Sequence, residues 1–133
     1  MSADELARAL REARRILRPG GRILAHTFPN RLVYDVTYRL QRLAVPGRRQ
    51  RWPAGPRSEL ERVMHVNEQT RGSLRRALRA AGFADVHVAF GELVHDAIIP
   101  EADAGARTLV HRMAAHRSTR PLGRADLWAS AVA

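Results

Sequence analysis

The sequence predicts one α/β domain, and three stretches carry the prediction. Leu17-Arg18-Pro19-Gly20-Gly21-Arg22 ends a helix, forces a turn and opens a short apolar strand that runs to Phe28. Ala80-Ala81-Gly82-Phe83 closes another helix just before a second strand, Asp85 to Phe90. Asp126 to Val132 makes a last strand. Helices that hand over to strands through tight turns build layered α/β structure.

The length of 133 residues suits one domain with one core. No apolar run approaches the roughly 20 residues that span a bilayer. The acidic start, Asp4 and Glu5, is not that of a signal peptide, and no cysteine is present. Disulfides, thiol catalysis and cysteine-based zinc sites are thereby excluded, and a cytoplasmic protein is expected. The net charge of +10 invites a nucleic-acid reading. However, all 23 basic residues are arginine, alanine is abundant, and the arginines are spread along the chain. The pattern fits compositional bias and a solvated surface better than a binding patch.

Each element has its own signal. Ser2 and Glu5 form a capping-box pattern ahead of Leu6, Leu10, Ala13 and Leu17, a stripe at helical spacing. Pro19 cannot continue that helix, and Gly20-Gly21 supply the turn. Asn30 caps a second helix over Leu32 to Leu43, with Val33, Val36, Leu40 and Leu43 as its apolar side and Tyr34 and Tyr38 on one face. Val45 to Arg57 reads as a loop, with three prolines and two glycines. Ser58 and Glu61 open a short helix to Met64. Thr70 caps a helix from Arg71 to Ala81, with Leu74, Ala77, Leu78 and Ala81 inward and Gly82 past its end. In the strand after it, Val86, Val88 and Phe90 point one way, and His87 and Ala89 the other. A helix over Ala102 to His116 would bury Ala106, Leu109, Val110 and Met113. Ser118 to Gly123 is a turn-rich link.

"REARRILRPGGRIL", "RRALRAAGFADVHVAF" and "ADLWASAVA", in this order, resemble the second half of a class I S-adenosylmethionine-dependent methyltransferase of the type 11-like kind. The resemblance covers nearly the whole chain. It implies a partial Rossmann-like methyltransferase sheet made of the fifth, sixth and seventh strands. The final strand would run antiparallel between the other two, with flanking helices and helical insertions at about 30–69 and 91–123. The whole chain, 1–133, is then one partial methyltransferase-like domain. The implied reaction is methyl transfer from S-adenosylmethionine to a small-molecule acceptor.

The family's cofactor half has no counterpart here. It needs a glycine-rich loop after a first strand and an acidic residue ending a second. No G-x-G-x-G pattern exists, and Gly20-Gly21 follow a helix and precede a strand, the reverse order. No cofactor-binding residue is therefore assigned, and the isolated chain is expected to be inactive. A truncated reading frame, or a split protein whose N-terminal half is a partner chain, would explain this. Either way the first strand is left with an open apolar edge.

Ligands in open α/β sheets sit at the carboxyl ends of strands. That places Thr27, Asn30, Tyr34, Tyr38, His65 and Asn67 as candidate substrate-wall residues, with a histidine or tyrosine available as a base. The opposing reading makes Asn30 a helix cap and the tyrosines packing residues. The histidines show no metal-ligand spacing, and no G-x-S-x-G elbow supports hydrolysis. A basic helix-turn-helix-like module built on Arg71, Arg75, Arg76 and Arg79 is the alternative from the binding class. A non-catalytic accessory subunit is the third.

Overall fold

The computed structural model describes residues 2–64, 67–94, 96 and 98–133. The capping box at Ser2 and Glu5 forms and starts helix α1, Ala3–Ile16. The Pro-Gly-Gly turn leads into strand β1, Arg22–Thr27. Of the two turn glycines only Gly20 has positive φ, +77°. Gly21 is needed for space, because a Cβ there would lie 2.9 Å from the Arg18 carbonyl oxygen. The turn also bonds the chain's last residue: the Ala133 amide donates to Gly21 O and the Gly20 amide to Ala133 O.

The next helical region opens with a π-helical stretch, Val33–Tyr38, and continues as α2, Arg39–Ala44. One-turn helix α3, Arg48–Arg51, follows, then α4, Glu59–Met64. Helix α5, Arg71–Ala80, starts on the Thr70–Ser73 capping box and ends at Gly82, φ +90°. Strand β2 is Ala84–Phe90. Helix α6, Ala104–Ala115, is capped by Asp103, and one-turn α7, Arg120–Gly123, leads to strand β3, Leu127–Val132.

The three strands form an antiparallel sheet in the order β1-β3-β2. β3 is central, with Leu24 opposite Ser130, His26 opposite Trp128 and Val88 opposite Ala129. The central place and reversed sense of the last strand are those the sequence leads one to expect. Among the described residues β1 pairs only with β3, so its other edge is open.

Strand alternation divides the sheet. Leu127, Ala129 and Ala131 of β3 and Val88 of β2 pack with Leu10 of α1, Leu74 and Leu78 of α5, and Phe83. The stripes of α1 and α5 face this core as their periodicity predicts, with Leu10, Leu74 and Leu78 buried and Leu6, Ala13, Leu17, Ala77 and Ala81 partly buried. The opposite sheet face carries Leu24, 70% exposed, and Trp128, 43% exposed. Among the described residues, only one side of the sheet has a helical layer.

A second core lies away from the sheet. It joins Val33, Tyr34, Tyr38 and Trp52 to Ile98, Ile99, Ala106 and Val110. Both expected insertions contribute to it, so they form one packed unit. Three expectations are corrected here. The helix after Asn30 is rotated: Val33, Tyr34, Thr37, Tyr38 and Gln41 are buried, while Leu40 and Leu43 are exposed. The π-helical turn shifts the phase of the residues that follow it, and the tyrosines fill more volume than the leucines would. The 45–57 segment is not simply a loop, since it holds α3 and buries Arg48 and Trp52. In α6 the inward residues are Ala106, Val110 and Ala114, whereas Leu109 is 45% exposed. The backbone of α6 at Ala114 explains the glycine at 123, where a Cβ would collide with the Ala114 amide nitrogen.

Candidate functional site

The carboxyl end of β1 has two sides, and they differ chemically. On the helix-covered side, a cleft of about 600 Å³ opens between the first turn of α1, the start of the π-helical stretch and the start of α5. Arg31, Asp35, Asn67, Glu68, Thr70 and Arg76 are among its lining residues. A parallel bridge between Asn30 and Gln69 ties this region to the chain leaving β1.

The charged groups of the cleft are largely committed to one another. Arg31 donates to Asp35 at 2.7 Å, and Arg57 donates to Asp35 at 3.1 Å and to Glu68 Oε1 at 2.7 Å. The Arg57 guanidinium also lies 4.7 Å from the centre of the Tyr34 ring, a cation–π distance. Partial burial opposes ionisation of Asp35, but the hydrogen bonds and charges of Arg31 and Arg57 outweigh it and hold the carboxyl below its ordinary value.

The expected wall residues are dispersed. Thr27, the last residue of β1, pairs with Leu127. Asn30 is fully buried: its amide nitrogen donates to the carbonyls of Pro121 and Arg124, and its side-chain oxygen accepts from the Leu32 amide. It fastens α7 to the strand end and presents no surface to a ligand. Tyr34 is fully buried with its hydroxyl donating to Glu61 at 3.0 Å. Burial, and then that bond, push its phenol above the ordinary value, away from service as a base. Tyr38 is equally buried, bonds the Pro53 carbonyl at 2.8 Å, and is raised by burial. Asn67 alone lines the cleft, accepting from Gln69 Nε2 at 2.7 Å and donating to Ser2 O. His65 lies outside the described residues.

On the bare sheet face, a cluster forms from residues that look unremarkable in the sequence. Asp126, 3% exposed, accepts hydrogen bonds from the Leu93 amide at 3.1 Å and from Trp128 Nε1 at 3.0 Å, and its Oδ2 lies 3.3 Å from His26 Nε2. The His26 and Trp128 rings lie 4.4 Å apart, tilted by 33°. His26 keeps 38% of its side chain exposed. Gly91 makes room for the carboxylate, since a Cβ there would lie 1.9 Å from Asp126 Oδ2. The signal available in the sequence was indirect. With the last strand antiparallel beside the first, His26 and Trp128 fall opposite each other on one face, and Asp126 is two residues from Trp128.

Among the described residues, no glycine turn of the kind that cradles S-adenosylmethionine joins a strand to a helix. Among the described residues, the glycines with positive φ are Gly20, Gly47 and Gly82. Gly20 and Gly82 follow helices, and Gly47 precedes one-turn α3, so none joins a strand to a long helix as a phosphate or nucleoside loop requires. Leu74 and Leu78 seat α5 on the sheet, and Arg71, Arg76 and Arg79 are on its exposed side. No helix among the described residues is long and apolar enough to cross a membrane. Comparison with known protein families, curated proteins and solved structures finds no match.

Proposed function

We propose that this chain is the strand-five-to-seven part of a class I methyltransferase-like domain, and that it contributes to methyl transfer to a small-molecule acceptor only when a cofactor-binding half completes it. The observation that carries the proposal is the sheet: a reversed last strand held between two others, with β1 left open on its outer edge. An unpaired apolar strand asks for a neighbour.

The cofactor half would come from polypeptide outside these 133 residues, either in the same reading frame or as a partner chain. The chain's own share is then structural and acceptor-side: a sheet edge for docking, and side chains at the carboxyl end of β1. Two measurements test this. Calorimetry of the isolated chain with S-adenosylmethionine is expected to give no micromolar binding, and such binding would overturn the division of labour. Sequencing upstream of the Met1 codon, and co-purification from the native source, are expected to yield a strand followed by a glycine-rich loop. A native protein with neither would remove the methyltransferase reading.

A further inference from the structure

We infer that His26 is a proton-accepting group for an aromatic hydroxyl ligand on the bare sheet face, with Nδ1 as the working atom and Asp126 as its positioning residue. The inference stands on His26, Asp126 and Trp128 themselves and survives failure of the methyl-transfer reading.

The tautomer follows from the partners. Asp126 Oδ2 already accepts from the Trp128 indole, so acting again as acceptor it takes the hydrogen of His26 Nε2 across 3.3 Å. In the neutral ring Nδ1 then carries the free lone pair. Asp126 is held on its other side by the Leu93 amide and the Trp128 indole, so the ring is oriented by a fixed group. Trp128 stacks on the imidazole and limits its rotation. This arrangement has the parts of an oriented base: an imidazole whose side chain is 38% exposed, and a carboxylate behind it.

The surroundings select the ligand. Trp128 is 43% exposed and Leu24 70% exposed on the same face, offering a flat apolar surface beside the imidazole. A planar aromatic ring can lie on that surface with its hydroxyl directed at Nδ1. In the transfer, the ligand's O–H bond breaks, the electron pair stays on oxygen, and the proton moves to Nδ1. The products are a phenolate and an imidazolium whose charge faces the Asp126 carboxylate.

The probe is 4-nitrophenol, whose phenolate absorbs visible light, titrated into ¹⁵N-labelled protein. Saturable shifts of the His26 imidazole and Trp128 indole resonances are expected, with phenolate absorbance rising over the same range. His26→Gln should abolish the rise, whereas His87→Gln on the same face should leave it intact. Without ligand, wild-type His26 should show the Nε2–H tautomer. Asp126→Asn cannot accept from the Leu93 amide, the Trp128 indole and His26 together, so it should loosen the ring's orientation and lower the phenolate signal by about tenfold or more. Equal phenolate formation in the His26→Gln protein, or an Nδ1–H tautomer in the wild type, would overturn the inference. His26→Gln changes a partly exposed side chain, so its result stands even if Asp126→Asn fails to fold. Retained proton acceptance without any methyl transfer by the completed protein would sink the proposed function alone.

Discussion

Arg48 grips Asp103 with two hydrogen bonds across 55 residues of chain, Nε to Oδ2 at 2.6 Å and Nη2 to Oδ1 at 2.9 Å. The side chains are only 9% and 15% exposed. Asp103 also caps α6, its Oδ1 accepting from the Ala106 amide at 3.1 Å. One carboxylate therefore joins α3 to the start of α6 and fixes the second core. Removing one member of a nearly buried pair leaves the other uncompensated, at a cost of about 3 kcal/mol. Asp103→Asn, which keeps a capping side chain, should lose about that much. Asp103→Ala should lose about 1 kcal/mol more with the cap. Urea unfolding followed by Trp52 fluorescence checks both. The exposed Arg15–Glu12 pair is the contrast: its side chains are 71% and 65% exposed, and Glu12→Ala should cost no more than about 0.5 kcal/mol.

The same pair predicts an acid dependence. The hydrogen bond from Arg48 is the largest influence on the Asp103 carboxyl and holds it below its ordinary value, against some desolvation. The unfolded carboxyl has a pKa of about 3.9. Between the folded and unfolded values the unfolded chain binds more protons, so stability rises with pH there. The contribution is complete above the unfolded value and is lost as pH falls through the folded one. Wild-type unfolding free energy should thus drop more steeply below about pH 5 than that of Asp103→Asn. Parallel slopes for the two proteins would show that the pair does not titrate with folding.

Gln41 predicts a gain. It is 6% exposed, and among the described residues neither its side-chain oxygen nor its nitrogen has a hydrogen-bond partner. It stands beside a nearly apolar groove of about 210 Å³ that includes Leu40, Val45, Leu109 and Met113. A buried amide without partners costs about 1–3 kcal/mol. Gln41→Met keeps the length and removes both polar atoms, so it should raise stability by about 1 kcal/mol. A thermal melt showing a lowered midpoint would mean that the amide finds a partner in solution.

What was legible in the sequence follows the reach of its signals. Leu10, Leu74 and Leu78 are buried, and Leu6 partly so, because helical spacing and local turn chemistry at Pro19, Gly20 and Gly82 act within a few residues. The helix after Asn30 was misphased because its burial is decided elsewhere. Tyr34 and Tyr38 go inside only because Glu61 and the Pro53 carbonyl, 27 and 15 residues away, satisfy their hydroxyls. The His26–Asp126 contact spans 100 residues and depends on strand register, which no local pattern near either residue encodes.

The open edge of β1 predicts self-association. Arg22 is its one formally charged residue, and it has no proline or lysine to block a further strand. Leu24 is exposed at its middle. Sedimentation velocity of the isolated chain should show weight-average mass rising with concentration, and Leu24→Lys should flatten that rise. A wild-type chain that stays monomeric at high concentration would show that the edge is protected.

Gly91 is the substitution that separates space from backbone freedom. Gly91→Ala would set a methyl carbon 1.9 Å from Asp126 Oδ2 and 2.3 Å from its Cγ. Asp126 cannot retreat cheaply, because Leu93, Trp128 and His26 all bond its carboxylate. The expected result is a loss of about 1–3 kcal/mol, the cost of overpacking a filled site, together with loss of the Nε2–H tautomer at His26. Gly20→Ala meets no atom within 4 Å but must hold φ +77°, so it should cost about 1–2 kcal/mol and leave the His26 signal in place. Gly55→Ala meets neither obstacle and should be neutral or slightly stabilising. Urea midpoints and the imidazole ¹⁵N spectrum, recorded on all three variants, distinguish these outcomes. An unchanged His26 spectrum in Gly91→Ala would mean that the carboxylate is not where the tautomer argument needs it.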